Sequence, residues 1–341
     1  MVGKFKTIEQ LIYFIIYIMN VVRYITIFII LTTIGILYDR YVKKFFPDEE
    51  LGKHDLVRKY LLNEDGSITG KPILWLHTTY NINSRNWPSF YSRNTKYLNQ
   101  PYIDLCIESI VKHCKDSFNI CLIDDDSFAK LLNGWSIDLD GLAEPVKQHV
   151  RGLALANILY EYGGMLLPNT TVVLKDLKPL YDSKITEKGM FVGEFVNKSV
   201  TNTHTRFFPN HKLMGCEKHN ESMKELIENL EINVSKDNTD RPKFVGLTNK
   251  HIYKLVTEGK CSLICGKALG TKNKHDNVIL LDELLGNSSL ELCLCSLYCI
   301  CLPEEELLKR SKFGWFLRAS HKQVLESNTE ISKFILLSHG K

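Results

Sequence analysis

Beyond residue 70 the chain alternates short apolar runs with segments of helical apolar spacing. Four such runs are bounded by turn residues and predict buried strands, at 72–77, 119–123, 165–167 and 190–195. Isoleucines at helical spacing predict a helix over 101–115, and Pro145 begins a longer helix that ends at Tyr162. Strands that alternate with helices in this way predict an α/β fold.

A glycine pair near the middle of the chain organises this pattern. Gly163 and Gly164 supply the left-handed backbone that ends a helix, and the buried strand Met165–Leu167 follows at once. A polar turn, Pro168–Thr171, comes next and leads into a second short strand at 172–174. Because ligands of open α/β sheets bind at the carboxyl ends of the strands, this turn is a candidate ligand-binding segment.

Three consecutive carboxylates follow another predicted strand. Asp124, Asp125 and Asp126 come after the run 119–123 and before a short predicted helix. Divalent cations prefer oxygen ligands, so Asp125 and Asp126 are candidate metal ligands at this strand end. In the alternative interpretation, Asp126 or Ser127 caps the following helix and the other carboxylates are solvated.

The glycine pair also carries a family resemblance. Leu159, Tyr160, Gly163, Gly164 and the strand Met165–Leu167 resemble the signature of DXD-motif glycosyltransferases of the capsular-polysaccharide and mannosyltransferase-like type. In that family, a helix with an Asp and an Arg leads into Leu-Tyr-x-x-Gly-Gly, an apolar strand and a metal-binding Asp-x-Asp.

The resemblance extends over about residues 71–255 and implies a GT-A (Rossmann-like) fold. It further implies a nucleotide-sugar donor, a glycan or protein acceptor, and Mn²⁺ or Mg²⁺ as the cofactor. A second match, at 210–217 with the helix after it, makes His211 a candidate site residue. His211 is predicted in a polar loop, where a histidine is more often a surface residue than a ligand.

The charged positions of the family signature differ here. The family's Asp falls on Gly152, its Arg on Leu155, and its Asp-x-Asp on Pro168, Asn169 and Thr170. Either the Asp124–Asp126 turn or a Lys or Arg then replaces the metal site, or the chain is a catalytically degenerate relative that acts as a binding or scaffold partner. The candidate substrate-binding residues are Asp124, Asp125, Asp126, Gly163, Gly164, Asn169, Thr170 and His211.

The first residues have a different character from the rest. Leu11–Leu37 is almost entirely apolar and exceeds the roughly 20 residues of a membrane-spanning helix. We therefore expect an anchor at 1–45, a stalk at 46–70 and a glycosyltransferase-like domain at 71–341. The protein is then single-pass, of type II, in a Golgi- or ER-like endomembrane or a viral membrane. The alternative is a buried hairpin of a soluble domain.

The charge and the cysteine content of the chain bear on which ligands and partners it can bind. A net charge of +4 without a basic stripe argues against nucleic acid. Cys293, Cys295, Cys299 and Cys301 form two C-x-C pairs, which predict either a metal site or, better, a half-buried element with cysteine as a small apolar residue. The basic and aromatic segment 309–318 is either a solvated helix or a contact for phosphate or a membrane surface.

Overall fold

The computed structural model describes residues 71–79, 100–197, 205–236 and 241–340, all within one compact unit. The predicted anchor at 11–37, the stalk at 46–70 and residues 80–99 lie outside the described residues. Among the helices that are described, none combines the length and the apolar character that a membrane span needs. The membrane segment therefore stays a prediction.

A six-stranded sheet forms the centre of the protein, in the order β2-β1-β3-β6-β5-β7. Strands β2, β1 and β3 are parallel, β6 is antiparallel to both of its neighbours, and β7 is parallel to β5. The fold is thus mixed α/β with a mainly parallel sheet, which confirms the predicted fold class at this level. The strands are β1 Ile73–His77, β2 Asn119–Ile123, β3 Gly164–Pro168, β5 Met190–Val196, β6 Phe207–Cys216 and β7 Ser262–Ile264.

Helices cover both faces of this sheet, and a second, two-stranded sheet lies beside it. The small sheet pairs β4, Thr171–Val173, with β8, Cys299–Cys301, in antiparallel register. The helices are α1 Tyr102–Cys114, α2 Phe128–Leu131, α3 Val146–Tyr162, α4 Lys178–Lys188, α5 Glu221–Val234, α6 Arg241–Thr257, α7 Leu281–Leu284, α8 Glu304–Lys309, α9 Gly314–Arg318, α10 His321–Leu325 and α11 Glu330–His339.

The side chains of β1 alternate between the two faces of the sheet, which explains why an apolar layer forms on each face. Ile73 and Trp75 belong to one buried cluster, and Leu74 and Leu76 belong to another on the opposite face. Successive side chains of a strand point to opposite faces, so a continuous apolar run indicates a strand that is covered on both sides. Helices α3 and α5 supply residues to the first cluster, and α1 to the second.

The glycine pair joins α3 to β3 as predicted. Gly163 and Gly164 have φ values of +71° and +101°, both in the region that side-chain-bearing residues avoid. The indole Nε1 of Trp75 donates a hydrogen bond to the carbonyl of Gly163 at 2.9 Å and fixes the bend. Strand β3 then inserts between β1 and β6, where its residues Gly164–Leu167 are buried.

Two element predictions are wrong. Residues 210–217, predicted as a polar loop before a helix, belong mostly to the ten-residue strand β6. The apolar run 278–281 also predicts a short strand, but it makes a single bridge between Lys272 and Val278, and a helix begins at Leu281. At 210–217 tertiary pairing overrides the local pattern, because β6 obtains its hydrogen bonds from β5 and β3.

The cysteine cluster is a packing feature. Cys299 and Cys301 are buried in β8, and all ten cysteines of the chain are free thiols. Within the described residues, no group of three or more potential metal ligands occurs. Cys299 and Cys301 thus pack as small apolar residues, whereas Cys293 is half-buried and Cys295 is exposed. In the basic segment, Arg310 and Lys312 pair with Asp282 on α7 rather than pointing freely to solvent.

Candidate functional site

A cavity of about 1100 Å³ lies at the carboxyl ends of the parallel strands. Residues that follow β1, β2 and β3 line it, together with the end of β5. The Asp124–Asp126 turn and the Pro168–Thr170 turn both contribute to this one cavity. The structure thus brings the two candidate turns to the edge of the sheet where ligands of α/β proteins bind.

Asp125 is the centre of a charged network at this edge. Arg151 on α3 binds it bidentately, with Nε to Oδ1 at 2.7 Å and Nη2 to Oδ2 at 2.6 Å. Nε2 of His77, at the end of β1, lies 2.9 Å from Oδ1, and Nζ of Lys147 lies 3.9 Å from Oδ2. Burial opposes ionisation of Asp125, but the hydrogen bonds from Arg151 and His77 outweigh it and hold the pKa of this carboxyl well below its usual range.

His77 is the neutral member of the network. Burial lowers the pKa of His77, although the hydrogen bond to Asp125 works in the opposite direction. Its ring stacks on fully buried Phe128, with centroids 5.6 Å apart and an interplanar angle of 7°. The imidazole is therefore held in one position between α2 and the Asp125 carboxylate.

The flanking carboxylates have different roles. Asp124 caps the turn: its Oδ1 accepts hydrogen bonds from the backbone N and the Oγ of Ser127, and the Oγ of Ser127 accepts one from the backbone N of Asp124. Asp126 is exposed. Asp124 is thus the side-chain cap of the helical turn Asp125–Ser127, whereas Ser127 stands at the N-cap position of α2 without a capping hydrogen bond from its side chain, and Asp126 caps neither.

The predicted metal ligands do not fit a divalent ion. A guanidinium already occupies both oxygens of Asp125, and Asp126 adds one exposed carboxylate. A Mg²⁺ or Mn²⁺ ion would have to displace the bidentate arginine. At the position of the family's Asp-x-Asp, the hydroxyl of buried Thr170 donates to the carbonyl of Leu302 at 3.2 Å, and Pro168 has no ligand atom in its side chain. Neither turn holds a metal site in this structure.

The remaining family positions also line the cavity. Gly152 and Leu155, at the positions where the resemblance expects an Asp and an Arg, face it from α3, and half-buried Asn169 faces it from the end of β3. An added Cβ at Gly152 would lie 3.7 Å from Nε2 of His211. Gly163 and Gly164 do not line the cavity, and they act by shaping the connection between α3 and β3.

His211 lies in strand β6 and is half-buried, which corrects its prediction as a loop histidine. Its Nδ1 is shielded from solvent, and the side chain of Asn249 is the polar group that hydrogen-bonds the imidazole. Burial lowers the pKa of His211 to about 4, helped by Lys212, while the Asn249 side chain acts in the opposite direction. The side chain is therefore neutral throughout the physiological range.

This shift predicts a pH-dependent loss of stability. The unfolded state binds a proton near pH 6.5 and the folded state only near 4, so between these values the unfolded state holds more protons. The ionisation of His211 therefore has no effect on the free energy of unfolding above pH 6.5. As the pH falls from 6.5 towards 4, its low pKa reduces this free energy by up to about 3 kcal/mol. Urea unfolding of the protein and of His211→Gln measures the effect: the variant should lose less stability over this window, and equal slopes would contradict the assignment.

Sequence reasoning missed His77, Lys147, Arg151, His149 and Asn249, all of which line the cavity. A signal existed for His77, because it is a polar residue at the end of an apolar run that is predicted to be a strand. Arg151 and Lys147 precede the glycine pair on the helix whose charged positions the family uses. Asn249 had no such signal, since only the packing of α6 brings it to the cavity.

The cavity has an acidic balance. Of the described residues that line it, eight are Asp or Glu and four are Lys or Arg. Lys147 also pairs with Asp140 at 3.0 Å, and Lys212 pairs with Glu305. Asp140 is 83% exposed, so its hold on Lys147 is weak and can be exchanged for another anion.

Comparisons with known proteins give distant similarities of structure. No family model and no curated protein sequence matches the chain. Two crystal structures of the glycosyltransferase GlyE of Streptococcus pneumoniae TIGR4 share 12% and 11% identity, each with a TM-score of 0.33, over 58% and 57% of this chain. The PaToxG glycosyltransferase shares 13% identity at a TM-score of 0.32, and 55% of this chain covers 70% of it. The chain spans less than half the length of the GlyE chains, 46% and 45%.

Proposed function

We propose that this chain is a glycosyltransferase-like protein that binds a nucleotide-sugar in the cavity and transfers the sugar to a glycan or protein acceptor. The observation that carries the proposal is the joint cavity at the carboxyl ends of β1, β2 and β3, which two candidate turns of the sequence line together. Its volume of about 1100 Å³ is slightly above the usual range for small-molecule sites, about 300–1,000 Å³. The sequence signature around Gly163 and Gly164 points to the same chemistry.

Arg151 and Lys147 take the place of a metal in this proposal. A departing nucleoside diphosphate needs positive charge, and an arginine or lysine can supply it as a metal does. The bonds to Asp125 use two of the five N–H donors of the Arg151 guanidinium, which leaves others for a phosphate oxygen. Asp125 then orients Arg151, and Lys147 exchanges its exposed partner Asp140 for the phosphate.

Calorimetry tests the proposal with UDP, GDP, UDP-glucose and GDP-mannose, each in EDTA and in Mn²⁺. We expect binding in EDTA, with about a tenfold loss of affinity in Lys147→Met, because one charge-assisted hydrogen bond is removed. Lys178→Met is the matched control, since Lys178 pairs with Asp182 on α4 and does not line the cavity. Absence of binding to the whole panel, or binding that requires Mn²⁺, would contradict the proposal.

A second candidate is a relative that has kept the fold and a binding function but lost the transfer chemistry. The acidic balance of the cavity favours it, because eight carboxylates surround the four cations that a diphosphate would need. Release of UDP or GDP from the sugar nucleotide, measured with and without glycan acceptors, separates the two candidates. Binding without any turnover supports the binding protein, and turnover supports the enzyme.

The predicted anchor at 11–37 places the protein in a membrane under either of the two candidate functions. We propose a single-pass membrane protein of type II, in an endomembrane or a viral membrane, with the α/β domain on the lumenal or outer side. The support for this is the apolar character of Leu11–Leu37 alone.

A further inference from the structure

Five asparagines of the chain begin the triplet N-x-[ST], which is the acceptor pattern of N-glycosylation. They are Asn169, Asn197, Asn220, Asn233 and Asn287. Such triplets also arise by chance, so the pattern alone does not select among them. A glycan is bulky and solvated and is attached to the side-chain nitrogen Nδ2, so an occupied asparagine must be exposed in the folded protein. The surroundings of the five asparagines therefore decide which of them the fold leaves available.

Two of the five asparagines use Nδ2 in hydrogen bonds within the protein. Asn233 on α5 is only 5% exposed, and its Nδ2 donates to Oδ1 of Asn229 at 3.0 Å. Asn197, directly after β5, is half-buried, and its Nδ2 donates to the carbonyl of Thr205 at 3.0 Å. A sugar on Nδ2 of Asn233 would have to enter the interior, and a sugar on Nδ2 of Asn197 would lie against the chain at Thr205.

Two further asparagines are half-buried and serve the fold or the cavity. The side chain of Asn220 caps α5, and its Nδ2 packs on Gly189, where an added Cβ would lie 2.9 Å from it. Asn169 lines the cavity, and Thr171, the third residue of its triplet, is fully buried with its hydroxyl 3.6 Å from Sγ of Cys301. A glycan at Asn220 would force apart the packed chain at Gly189, and a glycan at Asn169 would fill the cavity.

Asn287 is the exposed member of the five. Its triplet, 287–289, is exposed throughout and forms a surface bend between Leu285 and Leu290, which pack against a buried apolar cluster that includes residues of α11. The carbonyl of Gly286 accepts a hydrogen bond from the backbone N of Glu330 at 2.9 Å and ties the start of the bend to α11. The bend is not among the residues that line the cavity, so a glycan at Asn287 would project into solvent without entering it.

We propose that Asn287 is an N-glycosylation site and that the other four triplets stay unmodified in the folded protein. The donor is an oligosaccharide on a polyprenyl diphosphate, brought to the acceptor by an oligosaccharyltransferase of the lumen. A bond forms between Nδ2 of Asn287 and the anomeric carbon of the oligosaccharide, and the bond from that carbon to the diphosphate oxygen breaks. Nδ2 gives one proton to a base of the transferase, and the polyprenyl diphosphate leaves. This inference rests on the proposed lumenal side of the domain and not on the binding of a nucleotide-sugar.

Gel mobility of the full chain from animal cells, before and after digestion with a peptide N-glycosidase, tests the site. We expect one glycan per chain. Digestion in ¹⁸O-labelled water converts the glycosylated asparagine to labelled aspartate, which mass spectrometry then locates, and we expect the label at Asn287. A chain without a glycan, or labelled aspartate at any of the other four asparagines, would overturn the inference.

Three substitutions in the bend separate the acceptor pattern from its surroundings. Asn287→Gln removes the acceptor, and Ser289→Ala keeps Asn287 but removes the hydroxyl that the triplet requires, so each should abolish the mobility shift. Ser288→Ala is the matched control, because Ser288 is equally exposed and occupies the middle position, where any residue except proline is allowed. It should keep the shift. A shift that persists in Asn287→Gln, or that is lost in Ser288→Ala, would contradict the assignment.

Protease protection in sealed microsomes separates failure of this inference from failure of the proposed location. If the α/β domain resists added protease and carries no glycan, the assignment of Asn287 is wrong and the lumenal location holds. If the domain is degraded and carries no glycan, both are wrong. The calorimetric test of nucleotide-sugar binding is independent of either result, because it can be made on unglycosylated Ser289→Ala protein, and Ser289 does not line the cavity.

Discussion

Alanine at Gly164 should lower the free energy of unfolding by more than about 4 kcal/mol, or prevent the accumulation of soluble protein. The residue has a φ of +101°, and a Cβ placed on it would lie 2.2 Å from the carbonyl oxygen of Ile73. That oxygen belongs to β1, the strand that pairs with β3 in the centre of the sheet. The clash cannot be relieved by rotating a side chain, because the backbone fixes the position of the Cβ and the Ile73 oxygen is itself a backbone atom. Urea unfolding, or the soluble yield when no folded protein is obtained, measures the effect.

Gly134→Ala is the control that separates strain from clash. Gly134 has a φ of +83°, in the same left-handed region, and a Cβ there would meet nothing within 4 Å. We expect a loss of only about 1–2 kcal/mol, which is the usual penalty for a side chain in this backbone conformation. If the two variants lost similar stability, the close approach to Ile73 would not be the reason for glycine at 164.

The second large effect is expected for Arg151→Met. Removal of the guanidinium leaves the Asp125 carboxylate, 19% exposed, with His77 as its remaining close partner. Breaking a fully buried pair by removing one partner typically lowers the free energy of unfolding by about 3–5 kcal/mol, and since this pair is half-buried we expect a loss at the lower end, about 3 kcal/mol. Stability due to the low pKa of Asp125 is lost in the wild type as the pH falls through the acid range, and protonation relieves the stranded carboxylate of the variant, so the difference in the free energy of unfolding between the two proteins should shrink at acidic pH.

A double-mutant cycle identifies the cause. Asp125→Asn in the Arg151→Met background removes the stranded charge, and we expect it to restore most of the lost stability. Lys178→Met is again the control, since Lys178 and Asp182 are 33% and 52% exposed and such pairs contribute about 1 kcal/mol or less. If Asp125→Asn restored nothing, the loss in Arg151→Met would come from packing and not from charge.

The sequence allowed the α/β class, the glycine-pair junction and the meeting of two turns at one sheet edge to be predicted. Each of these depends on local signals: short apolar runs, positive-φ glycines, and polar residues directly after strands. The parallel arrangement of β1, β2 and β3 then brings His77, Asp125 and Asn169 to the same edge, because parallel strands end together.

The sequence could not predict the state of charge at that edge. Three acidic residues in a row look like metal ligands until Arg151, 26 positions away, is seen to occupy both oxygens of Asp125. Strand β6 was missed for a related reason. Its segment Pro209–Lys212 has a polar pattern, and only the pairing with β5, irregular between Val192 and Gly193, makes it a strand. Partner choice across the fold decides both features.

The turn after β3 has a consequence for the order of folding. The backbone oxygen and the hydroxyl of Thr170 are both bonded to Leu302, which lies 132 residues later, and β4 pairs with β8 in the same place. During synthesis, this rim of the cavity cannot close until the ribosome has released Leu302. Contacts between residues so far apart in the sequence form slowly. We therefore expect this edge of the cavity to fold last, after the neighbouring parallel strands have already associated.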